Sequence, residues 1–168
     1  EERERSPNDN RPYYQHNDPA LPEMSKAPTL MDFYKLRFST NHVTQSARLA
    51  LINGHSEKVV MACLLHDIGL NIRGTDHGYW CAQLVRPYVD EEVAWAIEKH
   101  QALRFLPDPD QNYEYPEAYI RLFGADYEPE PYIMEEAKKA GNHKWYMSSR
   151  QITINDVYAF DPNLSVDV

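Results

Sequence analysis

The sequence is short of cysteine, with two in 168 residues, Cys63 and Cys81. Two thiols cannot staple a secreted disulfide scaffold, and they fit a reducing cytosol. Apolar runs are short, none reaching the roughly 18 residues of a membrane span, so no transmembrane helix is expected. Positive charge is scarce as well: 17 Lys and Arg stand against 26 Asp and Glu, a formal charge of −9. Nucleic-acid and anionic-membrane binders usually carry a basic footprint, so neither partner is expected. An anionic small substrate stays compatible, because a local group of Lys and Arg can oppose the global sign. Residues 1–14, EERERSPNDNRPYY, hold no apolar stretch of the kind a secretory leader needs, and a cytoplasmic location is expected. Internal repeats, low-complexity tracts and strand pairs with hairpin turn chemistry are missing too.

What is there is one domain's length of chain, able to bury roughly two-thirds of its unfolded surface. Five of the 12 prolines, Pro7, Pro12, Pro19, Pro22 and Pro28, crowd into residues 1–28 among charges and Asn. Such a stretch buries too little apolar surface to offset its ordering entropy and reads as an arm, leaving 29–168 as the folded domain. From Leu30 the apolar spacing becomes helical and predicts one helix to about residue 52, stopped by Asn53-Gly54. Ser56 opens the next helix, which Gly69 closes; further helices are expected over about 77–86 and from an Asp90 cap onward. After a Pro/Asp/Tyr loop at 107–115, helices should start at Pro116 and Pro131. A last one should run from a Ser148 or Ser149 cap to about Phe160, although Ile152-Thr153-Ile154 would also suit a strand. The fold class is all-α.

Four successive helices each carry a histidine near one end: His42, His66 within ACLLHDIG, His77 and His100. Antiparallel packing brings alternate helix ends together. Imidazoles and carboxylates converging inside a helical bundle commonly bind metal. The order H…HD…H…H…D resembles the HD-domain superfamily, and within it the di-iron oxygenases of the myo-inositol oxygenase and 2-hydroxy-phosphonate oxygenase type.

The resemblance covers residues 30 to about 161. It implies a compact HD helical bundle with His42, His66, Asp67 and Asp156 on a first metal. Asp67 would bridge to a second metal completed by His77 and His100. Asp156 is preferred to Asp161 because NDVYAF resembles the D-x-Y ending of the oxygenases and lies inside the last helix; Asp161 is the fallback. His42-Val43-Thr44-Gln45 resembles the oxygenase HxxQ, where hydrolases more often carry HxxR. The implied activity is therefore a di-iron, Fe(II)/Fe(III), oxidation of a small hydroxylated substrate by dioxygen. Gln45 and Arg104 would lie near that substrate, and Tyr34 would serve as a lid aromatic. The alternative is a phosphohydrolase acting on a phosphate ester or nucleotide with manganese, magnesium or zinc. A third reading is an inactive metal-binding or ligand-sensing module.

Leu70 stands where phosphonate-cleaving relatives place a histidine, Gly78 where a Glu is usual, and Thr153 where they place an arginine. These departures point away from a phosphonate. They leave all six metal positions in place. Lys144 and Arg150 are further cations, read as surface or helix-end charges, and the tyrosines of 113–132 as packing for the loop and short helices.

Overall fold

The structure is a computed structural model of the chain and describes residues 21–38, 40–70, 74 and 76–166. Among the described residues there are eight α-helices and no strand. They are α1 (Leu30–Leu36), α2 (Asn41–Ile52), α3 (Glu57–Leu65), α4 (His77–Val85), α5 (Glu91–Leu103), α6 (Glu117–Phe123), α7 (Pro131–Gly141) and α8 (Tyr146–Val157). A 3-10 turn, Pro109–Gln111, stands between α5 and α6.

The chain divides into two compact units, 1–39 and 40–168. The expected arm, residues 1–28, lies largely outside the described residues. In the first unit, α1 starts from a capping box. Thr29 Oγ1 accepts from Asp32 N at 3.2 Å, and Asp32 Oδ2 accepts from Thr29 N at 2.7 Å.

The single helix expected over 30–52 is two helices. Arg37 leaves helical geometry at φ −133, and its Nη1 donates to Leu36 O at 2.8 Å. The Phe38 ring folds back on Phe33 and Tyr34, at 6.2 and 5.6 Å between centroids. Apolar spacing runs through this break because both segments are amphipathic, which is why periodicity alone misses it.

In the second unit α5 is the central helix. It packs against α3, α4, α7 and α8, while α2 packs on α3 and α8. Its sequence accounts for that: Val93, Ala94, Ala96, Ile97, His100 and Leu103 recur at three-to-four spacing and are all buried. Asp90 caps it, with Oδ1 accepting from Val93 N at 3.0 Å.

Ser148 and Ser149 were the expected caps of the last helix, but α8 begins earlier, at Tyr146, and both serines lie in its first turn. Their hydroxyls instead tie α8 to α5: Ser148 Oγ donates to Glu92 Oε1 at 2.6 Å and Ser149 Oγ to Ala96 O at 2.8 Å. Ile152-Thr153-Ile154 is helical, because Ile152 and Thr153 are buried in this contact.

Arg150 is not the surface charge expected of it. It is 0% exposed. Its guanidinium donates to Leu103 O and Leu106 O, each at 3.0 Å, and to Tyr146 Oη at 3.0 Å. It lies 3.5 Å from Asp108 and 4.6 Å over the Tyr113 ring. A buried charge persists only when paired and hydrogen-bonded in this way, and here it fastens the loop after α5 to α8.

Candidate metal centre

Helix ends and tight contacts bring the histidines together. His42 lies in the first turn of α2, His66 caps the C-terminal end of α3 with Asp67 next, and His77 begins α4. His100 and Asp156 lie in the last turns of α5 and α8. Two glycines allow the approach. A Cβ on Gly69 would stand 2.7 Å from Cys81 Sγ, and Gly69 N donates to that sulfur at 2.9 Å. A Cβ on Gly78 would stand 3.0 Å from Ile97 O, 3.1 Å from Glu98 O and 3.3 Å from His100 Cε1. Gly78 therefore sets how closely α4 lies on α5, and with it how closely His77 approaches His100.

Each imidazole is oriented from behind by a backbone carbonyl. Nδ1 of His42 donates to Ala159 O at 2.9 Å, that of His66 to Cys63 O at 2.8 Å, that of His77 to Gly74 O at 3.1 Å and that of His100 to Ile97 O at 2.6 Å. A carbonyl can only accept, so in the neutral rings all four Nε2 atoms present lone pairs to the interior.

The donors form two groups, each with its atoms within 4.8 Å of one another: His42, His66, Asp67 and Asp156, and then Asp67, His77 and His100. Asp67 belongs to both. Its Oδ2 is 3.6 Å from His42 Nε2 and 3.5 Å from His66 Nε2, while its Oδ1 is 3.3 Å from His77 Nε2 and 3.6 Å from His100 Nε2. Asp156 Oδ1 lies 2.7 Å from His42 Nε2 and 3.7 Å from His66 Nε2.

These residues fit metal ions. His42 Nε2, His66 Nε2, Asp67 Oδ1 and Asp156 Oδ1 are buried and lack hydrogen-bond partners, although buried polar atoms are nearly always satisfied. Nε2 of His77 and His100 face each other at 3.2 Å. Two lone pairs at such a distance repel unless a proton or a cation lies between them. Imidazole nitrogens with carboxylate oxygens suit zinc, iron, manganese and related ions.

The charges are arranged accordingly. Burial favours the neutral form of both carboxyls. Even so, the charge of His66 and the close imidazoles of His100 and His77 hold Asp67 well below the usual carboxylate range. The charge of Arg104 and the close imidazoles of His42 and His66 do the same for Asp156. His100 is pushed down to about 4 by burial, helped by its cationic neighbours, and stays neutral at pH 7. His66 is the contrary case: burial would lower it, but Asp67 and Asp156 hold it above its ordinary value.

The other expected residues fall as follows. Arg104 Nε and Nη2 both donate to Asp156 Oδ2, at 3.0 and 2.5 Å, placing a cation at the edge of the cluster. Gln45 directs its amide to the segment after α8. Its Nε2 donates to Asp161 O at 2.7 Å and Leu164 O at 2.8 Å, and its Oε1 accepts from Asp161 N at 2.9 Å. Asp161 itself takes Asn163 N on Oδ1 at 2.8 Å and is in neither donor group. Tyr34 is on α1, in the first unit. Lys144 lies 4.2 Å over the Trp145 ring.

Two neighbours of the cluster carry no signal in the sequence. Phe160 stacks on His42 at 4.3 Å between centroids. Tyr119 of α6 faces Arg104, whose Cζ is 5.7 Å from the ring centroid. Tyr115, Tyr119 and Tyr127 do pack, all three on Phe105 and the last two also on Phe123.

No curated protein matches the chain. The family model of the HD domain matches residues 40–140. That span covers α2 to α6, all but the last residue of α7, and five of the six clustered residues, with Asp156 supplied by α8 beyond it. With more than half of its residues inside that match and an all-helical bundle around a His/Asp cluster, the chain belongs to the HD-domain family.

Proposed function

We propose that the chain is a dinuclear HD metalloenzyme of the oxygenase type, oxidising a small hydroxylated, anionic substrate with dioxygen. His42, His66, Asp67 and Asp156 would hold one iron, and Asp67, His77 and His100 the other. The observation that carries the reading is Asp67: its two oxygens face two separate pairs of imidazoles, as a bridging carboxylate does. Support for oxygenase over hydrolase comes from the complete second donor group and the HxxQ at His42 to Gln45.

When bound, an iron pair supplies Lewis acidity and the electrons that dioxygen chemistry on an alcohol requires. The protein's own residues do the rest. The four carbonyl-anchored rings keep their Nε2 atoms aimed inward, so the donor set is pre-oriented. Burial of His66, His100 and Asp156 keeps bulk water from the donors. Arg104 offsets the charge of Asp156, which leaves a metal-loaded centre net positive and favours an anionic substrate. Gln45 holds the segment that carries the Ala159 carbonyl and Phe160, both in contact with His42. A reducing, cytoplasmic setting suits the free thiols of Cys63 and Cys81.

The test is anaerobic Fe(II) loading followed by metal analysis and low-temperature EPR of partly reduced protein. Two irons per chain, a mixed-valent signal and substrate-dependent oxygen uptake are expected. Failure to take up iron would sink the oxygenase reading. Arg104 beside the cluster suits a phosphoryl group equally well, so phosphate release from a phosphoester panel with manganese, magnesium or zinc would favour the phosphohydrolase. A metal-replete protein inert in both assays would be a binding or sensing module.

A further inference from the structure

A cleft of about 410 Å3 lies among α4, α5 and α7. None of the six clustered His and Asp residues lines it. Tyr79 and Trp80 of α4 form one wall, edge to face at 5.2 Å between centroids, and Tyr132 of α7 stands among the other lining residues. All three rings are about half exposed, an unusual concentration of open aromatic surface for one small site.

Its charges are unevenly settled. Lys99 is held by Glu98 at 2.8 Å and by Glu136 at 2.6 Å, so the amine in the cleft is already neutralised. Those carboxylates also take Arg86 at 2.8 Å and Lys139 at 3.2 Å. Asp76 differs. Its carboxylate accepts a hydrogen bond from Tyr132 Oη at 3.2 Å, and among the described residues no cation pairs with it. It precedes the first turn of α4 without capping it.

A carboxylate with no cation on it among the described residues, beside three aromatic rings, selects strongly among ligands. Anions are repelled by the carboxylate and by the negative ring faces. Hard metal ions need several oxygen donors, whereas here one carboxylate lacks a cation. An organic cation meets both requirements, placing charge against the carboxylate and its alkyl groups against the rings. We propose that this cleft binds a small organic ammonium ion, with its charge at Asp76 and its carbon surface against Tyr79, Trp80 and Tyr132. The site is independent of the proposed oxidation and does not require it.

The experiment titrates tetramethylammonium and ethylammonium chlorides into the full chain and follows the Trp80 indole N–H by NMR, with potassium chloride as reference. A saturable shift with one or both ions, absent with potassium, is expected at about millimolar Kd or tighter. Asp76→Asn should weaken binding by about tenfold, and Tyr79→Leu, which keeps the Trp80 reporter, by a similar factor. Asn tolerates the left-handed backbone that Asp76 adopts at φ 52, so the first variant should keep its circular dichroism spectrum and metal content. Absence of saturation with both ions, or binding that is unchanged in both variants, overturns the proposal.

Discussion

Arg104 and Asp156 form a two-pronged ion pair in which the guanidinium occupies Oδ2 and leaves Oδ1 facing His42 and His66. One residue thereby fixes which carboxylate oxygen is available to a metal. It also compensates a buried negative charge. Arg104→Met should therefore destabilise the metal-free protein by about 3–5 kcal/mol, because Asp156 is left buried without its cationic partner. Metal loading should recover part of the loss, since a bound cation takes over the compensation. Urea unfolding of metal-free and loaded protein checks this. Equal stability of variant and wild type without metal would contradict it.

Gly78 offers a geometric test. The Cβ of Gly78→Ala would press on two carbonyls of α5 and on the His100 ring. The variant should lose about 1–3 kcal/mol as α4 moves outward. That motion separates His77 from His100, so metal content should fall at the His77/His100 group before the other. Metal analysis at limiting and saturating loading reads the outcome, and unchanged stoichiometry and stability would show that α4 has slack there.

A pH dependence follows from His66. Its folded pKa is raised above 6.5 by Asp67 and Asp156. In the metal-free protein its contribution to stability is fully present below pH 6.5 and fades as pH rises through the higher folded value. A metal needs the neutral ring, so metal loading should release a proton and affinity should rise with pH across the same window. Calorimetry at pH 6.5 in two buffers of different ionisation enthalpy measures that release. Zero release would mean that His66 binds no metal.

Arg150 predicts a purely structural defect. Arg150→Leu strands the Leu103 and Leu106 carbonyls and leaves Asp108 without its cation. A loss of about 3–5 kcal/mol is expected, with the metal content of the folded protein unchanged. Thermal unfolding and metal analysis together test it, and a variant of normal stability that binds less metal would reverse the assignment.

Much of this was legible in the chain because helix signals are local. Asp90, Ser56, Pro116 and Pro131 mark helix starts by side-chain or φ chemistry that operates within four residues. The order of His42, His66-Asp67, His77 and His100 is equally local, since each sits near a helix end. Where local signals were missing or ambiguous, sequence reasoning went astray. The end of α1 at Leu36 is invisible to apolar spacing, and the Ser148-Ser149 pair resembles a cap until α5 supplies Glu92 and the Ala96 carbonyl as partners.

By itself, then, the sequence determined an all-helical chain, the HD pattern and the residue types able to bind metal, because these depend on periodicity and on side-chain chemistry along the chain. Only the tertiary structure decided that Asp67 divides its oxygens between two imidazole pairs. It also decided that Arg104 claims one oxygen of Asp156, that Gln45 serves the segment after α8, and that Arg150 lies inside. Most of these join residues far apart in the chain, as in Arg104 with Asp156 at 52 positions and Gln45 with Leu164 at 119. Such pairings follow from how α5 and α8 close on one another, which no local propensity encodes.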